Sequence, residues 1–289
     1  MVGGATKVVG VIGDPIEHSL SPKMHNAAFE YLGLDYIYVP FRVLEKDLKN
    51  AVRGAKALNL RGFNVTIPHK ISIIKFLDEV DLTARKIGAV NTVVNYGGKL
   101  MGYNTDGLGA LEALKEENVD PEGKKIVIIG AGGAARAITF QFASVCSKLV
   151  ILNRTGIKAV RLAKELTNFG VEVEGGSLTL KSLESSLSES DILINTSSVG
   201  MYPNVNESPV PKDFLRKDLV VFDIVYNPLE TMLLKYARSV GAKSINGVGM
   251  LVNQGAIGFK MWTGHEAPRD IMRKAVIEGL RGGDLSVEG

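Results

Sequence analysis

The sequence predicts an α/β protein of two domains. Three observations carry this: a length of 289 residues, a middle third where apolar runs alternate with helical patterns, and a glycine-rich turn joining one such run to a helix. Apolar strands that alternate with helices build a parallel sheet covered on both faces.

Taken in order, "KVVGVIG" (7–13) reads as a buried strand. "SPKMHNAAFEYLGL" opens with a helix signature, Ser21 as N-cap and Pro22 at the first helical position. "DYIYVPFRV" reads as a strand, "EKDLKNAVRGAKAL" as a helix and "RGFNVTI" as the next strand. "AVNTVVNYGGKLMGYNTD" holds two apolar runs around Gly97-Gly98, a hairpin. "LGALEALKEENV" is a helix leading into a stricter rhythm: strand "KKIVIIG", helix "AGGAARAITFQFAS", strand "KLVILNR", helix "GIKAVRLAKELTNFG", then strands "SDILINTS" and "DLVVFDIV". The Ser-rich stretch 182–190 reads as a surface helix and turn. The tail reads as two helices with no strand left to serve, so the chain crosses near Tyr103–Asp106 and returns near Gly247. The expected domains are 1–105 with 248–289, and 106–247.

Composition excludes several classes. Net charge is +3 with mixed signs and no basic block, so no nucleic-acid footprint is expected. Cys146 is alone, which rules out an internal disulfide and a cysteine-based zinc site; its apolar neighbours, read as a helix end, make it a core thiol. The histidines, His18, His25, His69 and His265, have no metal-ligand spacing, so no metal is expected. No segment reaches the length of a membrane span, and "MVGGATKVVG" lacks the regions of a signal peptide. The expected location is cytoplasmic.

"KIVIIGAGGAARA" is the most informative motif. A buried strand runs into Gly130-Ala131-Gly132-Gly133-Ala134-Ala135, a variant of the dinucleotide-binding fingerprint. Gly130 makes the tight turn, Gly132 lets the backbone approach a pyrophosphate, and the small Ala135 allows close helix–strand packing. The free N–H groups of the following helix hold the anion. The next strand ends in Asn153-Arg154-Thr155, where an NAD site usually has an acid. An acid repels a 2′-phosphate; Arg154 pairs with it and stacks on adenine, with Thr155 and Lys158 as further donors. NADP is the expected cofactor.

Short polar clusters fall at strand ends or a helix start: Ser19 and Ser21; Asn64, Thr66 and Lys70 in "NVTIPHK"; Asn91; and Asp106 in "NTDG". Singly, each has a bland reading. Ser21 caps a helix, Asn91 and Asn104 make turns, Asp106 caps the next helix, and Lys70 is solvated. Together they suit a polyhydroxylated ligand held by neutral hydrogen bonds, with a Lys–Asp pair for proton transfer. Asn64 and Thr66 alternate onto one face of a strand, and Pro68 stops it.

These motifs resemble the shikimate dehydrogenase family nearly end to end: "GDPIEHSLSPKMHNAAF", "GFNVTIPHK", "GAVNTV", "GYNTDG", "GAGGAARA", "NRT", "INTSSVGM", "DIVYNPLET" and "GVGMLVNQG". The resemblance implies an α/β substrate-binding domain, a Rossmann-type doubly wound NADP-binding domain, and reduction of 3-dehydroshikimate to shikimate with NADPH in aromatic amino-acid biosynthesis. It implies that Ser19, Ser21 and Tyr226 bind the substrate carboxylate, and that Asn64, Thr66, Asn91 and Gln254 hold the ring hydroxyls. Lys70 and Asp106 become the catalytic pair. Gly130, Ala131, Gly132, Gly133 and Ala134 cradle the pyrophosphate, Asn153, Arg154, Thr155 and Lys158 surround the 2′-phosphate, and Thr196, Ile224, Gly247 and Met250 line the adenosine and nicotinamide ends. His18 and His69 receive no catalytic role, and His25 is placed on a packed helix face. A small-molecule substrate follows, with a homodimer left open. Two other readings stand beside this one: a quinate- or NAD-using relative, and a dinucleotide-binding sensor that lost the chemistry. Retention of Lys70 and Asp106 weighs against the sensor.

Overall fold

Twelve strands form two six-stranded sheets in the computed structural model, which describes residues 2–284. The chain divides into two units, Met1–Asp106 with Val252–Gly289, and Gly107–Leu251.

The first unit opens with β1 (Lys7–Gly13), α1 (Ser21–Tyr31), β2 (Tyr36–Arg42), α2 (Leu48–Ala57) and β3 (Gly62–Val65). It continues with β4 (Glu79–Val80), α3 (Leu82–Ile87), β5 (Thr92–Tyr96) and β6 (Lys99–Tyr103). The sheet order is β2-β1-β3-β5-β6-β4, with β1, β2 and β3 parallel, β5 antiparallel to β3, and β6 antiparallel to β5. The hairpin turns at Gly97-Gly98, both at positive φ, as the glycine pair implied. The two-residue β4 pairs with β6 at the far edge and has too few residues to show a period. One core cluster joins Ile12, Val52, Phe63, Val65, Ile73 and Val93. On α1, Asn26 offers its amide to β2 at the sheet edge: Nδ2 donates to the Tyr38 carbonyl (3.0 Å) and Oδ1 accepts the Tyr38 N–H (2.8 Å).

Two expectations for this unit need correction. Ser21 is not the N-cap of α1. Leu20 holds that place, Ser21 is the first helical residue, and no side chain caps the helix. The buried Leu20 takes the boundary position as a core anchor, so the Ser21 hydroxyl is not spent on capping. The strand expected over "RGFNVTI" ends at Val65, although the Thr66 N–H still donates to Ile12 O (3.0 Å).

The second unit follows α4 (Asp106–Glu116) with β7 (Lys125–Ile129), α5 (Gly133–Phe142), β8 (Lys148–Asn153), α6 (Gly156–Glu165), β9 (Glu172–Ser177) and α7 (Leu180–Leu187). Then come β10 (Ile192–Asn195), β11 (Val220–Asp223), α8 (Met232–Ser239) and β12 (Lys243–Ile245). All six strands are parallel in the order β12-β11-β10-β7-β8-β9. Renumbered within the unit this is 6-5-4-1-2-3, the doubly wound dinucleotide-binding order, with its switch point between β7 and β10. Buried Val127, Ile129, Leu193 and Val221 fill one face. The edge strands β9 and β12 escaped the sequence reading. Glu172 and Glu174 alternate on β9 and pair with Lys148 (2.7 and 2.5 Å), which reads as a polar segment, and β12 has only three residues. Cys146 is buried just past the end of α5, in keeping with a core thiol beside a helix end.

Finally α9 (Val248–Thr263) and α10 (Arg269–Asp284) return the chain to the first unit. There the fully buried Trp262 donates from its indole to Val93 O (3.0 Å). His25 stacks on Tyr38 and Phe259 and lies tilted against Trp262, and Phe29 stacks on Phe259. Among the described residues no helix is long and apolar enough to cross a membrane.

Candidate active site

Lys70 and Asp106 meet. Lys70 Nζ lies 2.6 Å from Asp106 Oδ2, and their side chains are 15% and 4% exposed. The turn after β3 aims the lysine. Backbone bonds run from His69 N to Thr66 O (2.9 Å) and from Val90 N to Lys70 O (2.8 Å). His69 is wholly buried, and its Nε2 contacts Val43 O at 2.6 Å. A carbonyl only accepts, so this nitrogen carries the proton, and the ring ties the turn to the end of β2. His69 thus has an anchoring place rather than a chemical one. Asn104 behaves as the turn residue it resembled: its amide donates to Ala89 O (2.9 Å), and its oxygen accepts the Asp106 N–H (3.0 Å).

A buried ion pair is costly unless its remaining hydrogen-bonding capacity is filled. Here the second carboxylate oxygen, Asp106 Oδ1, accepts from Asn91 Nδ2 at 2.8 Å. Asn91 is also held by the Thr105 N–H, which donates to its oxygen (2.8 Å), and its Nδ2 reaches Gln254 Oε1 at 3.2 Å. Gln254 comes from α9, and its carbonyl accepts from Thr105 Oγ1 (3.1 Å). Asn64, on β3 opposite Thr92 of β5, donates to Thr92 Oγ1 (3.0 Å) and Asn91 O (3.1 Å) and accepts from Tyr38 OH (2.7 Å). Ser21 is buried and Ser19 half-buried, with the Ser21 N–H 3.4 Å from Ser19 Oγ; Thr66 is half-buried. The first unit therefore assembles one network containing Lys70, Asp106, Asn91, Asn64 and Gln254. Tyr38, Thr92 and Thr105 belong to it and were missed. Thr92 and Thr105 lay inside quoted motifs, each beside a residue that attracted the argument, while Tyr38 looked like an ordinary strand residue.

The second unit carries the glycine loop at the switch point. Gly130 has φ of +119°, and a side chain there would collide with the Thr196 hydroxyl. Thr196 Oγ1 donates to Ile129 O (2.6 Å) and so packs the β10 loop behind the turn. At Gly132, the N-cap of α5, a Cβ would meet open space, and no side chain competes for the first N–H groups of the helix. Ala135 is fully buried against the sheet, the close packing expected of it. At the end of β8, Asn153 Nδ2 donates to Thr155 O (3.0 Å). Arg154, Thr155 and Lys158 are exposed, and Arg154 has no ion pair among the described residues. Ile224 and Tyr226 are partly buried after β11, and Gly247 and Met250 are buried. Gly247 lies so close to the Ile224 carbonyl that no side chain fits. An open helix N-terminus at the switch point, with exposed cations at the neighbouring strand end, fits an NADP pyrophosphate and 2′-phosphate.

A buried carboxylate underlies this loop system. Asp223, fully buried at the end of β11, accepts from Asn195 Nδ2 (2.9 Å), Val225 N (3.1 Å) and Thr231 Oγ1 (2.7 Å). Burial pushes its carboxyl up to about 6. In the first unit, burial pushes the His25 ring down to about 3. Among the described residues no cluster of three His, Cys, Asp or Glu could hold a metal ion.

Known proteins match over the whole of this arrangement. Residues 11–93 match the shikimate dehydrogenase substrate binding domain, 112–228 the shikimate / quinate 5-dehydrogenase domain, and 247–277 the shikimate 5'-dehydrogenase C-terminal domain. The shikimate dehydrogenase (NADP(+)) of Methanocaldococcus jannaschii is 52% identical over 281 residues, covering 97% of this chain and 99% of that one. The enzyme of the same name from Geobacillus kaustophilus is 50% identical over 95% of this chain and 99% of its own length. A crystal structure of a shikimate dehydrogenase in complex with NADP+ superposes with a TM-score of 0.90 at 51% identity, covering 97% and 98% of the two chains. The Listeria monocytogenes shikimate 5-dehydrogenase, crystallised with shikimate and NAD, gives 0.87 at 42% identity, covering 94% and 97%. The chain belongs to the shikimate dehydrogenase family.

Proposed function

We infer that the chain reduces 3-dehydroshikimate to shikimate, reversibly and with NADPH, as an NADP-dependent shikimate dehydrogenase of the shikimate pathway. One observation carries the chemistry: a lysine and an aspartate, distant in sequence, paired at 2.6 Å in a mostly buried network of amides and hydroxyls.

When bound, NADPH supplies the hydride. The chain's own residues handle the proton. Lys70 donates from Nζ to the oxygen of the reduced carbonyl carbon and takes that proton back in the reverse direction. Asp106 holds the ammonium in place through Oδ2 and accepts from the same substrate hydroxyl. Asn91 fixes the aspartate through Oδ1, so the pair keeps its orientation through a turnover. Asn64, Thr66, Asn91 and Gln254 hold the ring hydroxyls, and Ser19 and Ser21 receive the carboxylate. Ser21 suits that task because its hydroxyl is not used to cap α1. Residues 1–105 with 248–289 serve the substrate. Residues 106–247 serve NADP, through Gly130 to Ala134 at the pyrophosphate and Asn153, Arg154, Thr155 and Lys158 at the 2′-phosphate, with Thr196 and Ile224 further along the cofactor. Gly247 and Met250, at the return of the chain, complete that set.

The test is an assay of coenzyme reduction with shikimate and with quinate, each against NADP⁺ and NAD⁺. Turnover of shikimate with NADP⁺ well above the other three pairs is expected. Quinate turning over equally fast would move the reading to a shikimate/quinate enzyme, and no turnover of either acid would remove it.

A further inference from the structure

The Thr92 hydroxyl sits between the side-chain amides of Asn64 and Asn91. Thr92 is fully buried on β5, in register with Asn64 of β3. It accepts from Asn64 Nδ2 (3.0 Å) and donates to Asn91 Oδ1 (3.1 Å).

Neither amide can be turned around. Asn64 Nδ2 also donates to the Asn91 carbonyl (3.1 Å), a group that only accepts. Asn91 Oδ1 takes the Thr105 N–H (2.8 Å), a group that only donates. Asn91 Nδ2 faces the Asp106 carboxylate at 2.8 Å. Tyr38 OH must then donate to Asn64 Oδ1 (2.7 Å). Every hydrogen bond therefore points the same way: Tyr38 to Asn64, Asn64 to Thr92, Thr92 to Asn91, Asn91 to Asp106. Both amide hydrogens of Asn64 are spent, and so is one of the two lone pairs on its oxygen. What remains to Asn64 is a single acceptor site.

We propose that Thr92 is a positioning residue whose hydroxyl takes the second amide hydrogen of Asn64 and ties it to Asn91, so that Asn64 meets the substrate only as an acceptor and selects a hydroxyl donor there. This rests on the reading of the site given above. A hydroxyl is suited to the place because it accepts and donates at once. A valine of nearly the same volume does neither, and it leaves a buried amide hydrogen of Asn64 without a partner.

The experiment compares Thr92→Val with Thr92→Ser, with Lys70→Ala as the reference for the site itself. In Thr92→Val the KM for shikimate is expected to rise about 5- to 50-fold while the KM for NADP⁺ stays within about twofold, and Thr92→Ser restores the shikimate KM to within about threefold of the parent. An unchanged shikimate KM in Thr92→Val overturns the proposal. So does a Thr92→Ser variant as impaired as Thr92→Val, because the methyl group and not the hydroxyl then matters. If Lys70→Ala is inactive while Thr92→Val is normal, only the Thr92 proposal falls; if Lys70→Ala is fully active, the site reading falls by itself. Should Thr92→Val fail to fold by circular dichroism, Tyr38→Phe removes the first donor and leaves Thr92 in place. There a roughly three- to tenfold rise in shikimate KM supports the chain of donors, and no rise overturns it.

Discussion

The polar groups around the Lys70–Asp106 pair in the first unit are mostly buried and already partnered with one another, whereas those at the end of β8 in the second unit are mostly exposed. Lys70, Asp106, Asn91 and Asn64 fill much of each other's hydrogen-bonding capacity. Arg154, Thr155 and Lys158 stand in solvent, and the glycine loop is shaped from behind by Thr196 rather than by its own contacts. The difference matches the two tasks proposed for them. Moving a proton needs groups whose orientation is paid for before the substrate arrives. Holding a polyanion needs backbone N–H groups and flexible cations, which cost little when left in water.

The hardest way to break the comparison is at the buried pair. Lys70→Ala should lower kcat by roughly 10²–10⁴ with a modest change in KM, as for loss of a positioned acid. Steady-state rates near the parental value would remove Lys70 from the chemistry. Next comes the exposed side. Arg154→Asp should raise the KM for NADPH by about 10- to 100-fold and leave that for NADH nearly alone, since only NADPH brings a 2′-phosphate to a new carboxylate. Equal losses for both coenzymes would show that Arg154 does not read the phosphate. Third, Gly130→Ala should destabilise the second unit by about 1–3 kcal/mol through its positive φ and its lack of room. Urea denaturation measures this, and a variant as stable as the parent would show that the loop relaxes freely.

The smallest effects come from pH, and the two units should respond with opposite signs. The His25 ring is pushed down from 6.5 to about 3, so the unfolded chain takes up this proton first. Its contribution is complete above about pH 6.5 and is lost as pH falls towards 3. The Asp223 carboxyl is pushed up from 3.8 to about 6, so here the folded chain takes the proton first. Its penalty is full above about pH 6 and shrinks as pH falls towards 3.8. Both His25 ring nitrogens lack hydrogen-bond partners, so His25→Phe should give up little at neutral pH. That variant should gain about 2 kcal/mol on the parent between about pH 7 and about pH 4.5. Asp223→Asn should lose ground on the parent over the same interval. Parallel denaturation curves at the two pH values for parent and variants would contradict both signs.

Much of the second unit was legible because its pattern is local. A buried run, a glycine turn and a helix follow one another in sequence, and each strand of the central sheet repeats the cue. The strands that failed there lay at the edges, where β9 shows solvent its glutamates and β12 is too short to have a period, and the helix α8 was not read either. In the first unit the individual residues could be named, but their mutual contacts could not. Asn64, Asn91 and Gln254 come from two strand regions and a C-terminal helix, and only the folded sheet sets them in one network. Thr92 and Tyr38 stayed invisible for the same reason: a buried threonine and a strand tyrosine are common, and their importance lies in which way their hydroxyls point. Ser21 was misplaced by one position because Ser followed by Pro imitates a cap.

The amide of Asn26 also bears on how the chain avoids others like itself. β2 is an edge strand, and its Tyr38 would otherwise present an N–H and a carbonyl outward, a template for a foreign strand. Asn26 occupies both groups at once, as a one-residue imitation of the missing neighbour. An arriving strand would have to displace a helix-borne amide before forming its first pair. Replacing Asn26 by leucine would expose that edge, and the consequence to look for is time-dependent aggregation at concentrations the parent tolerates.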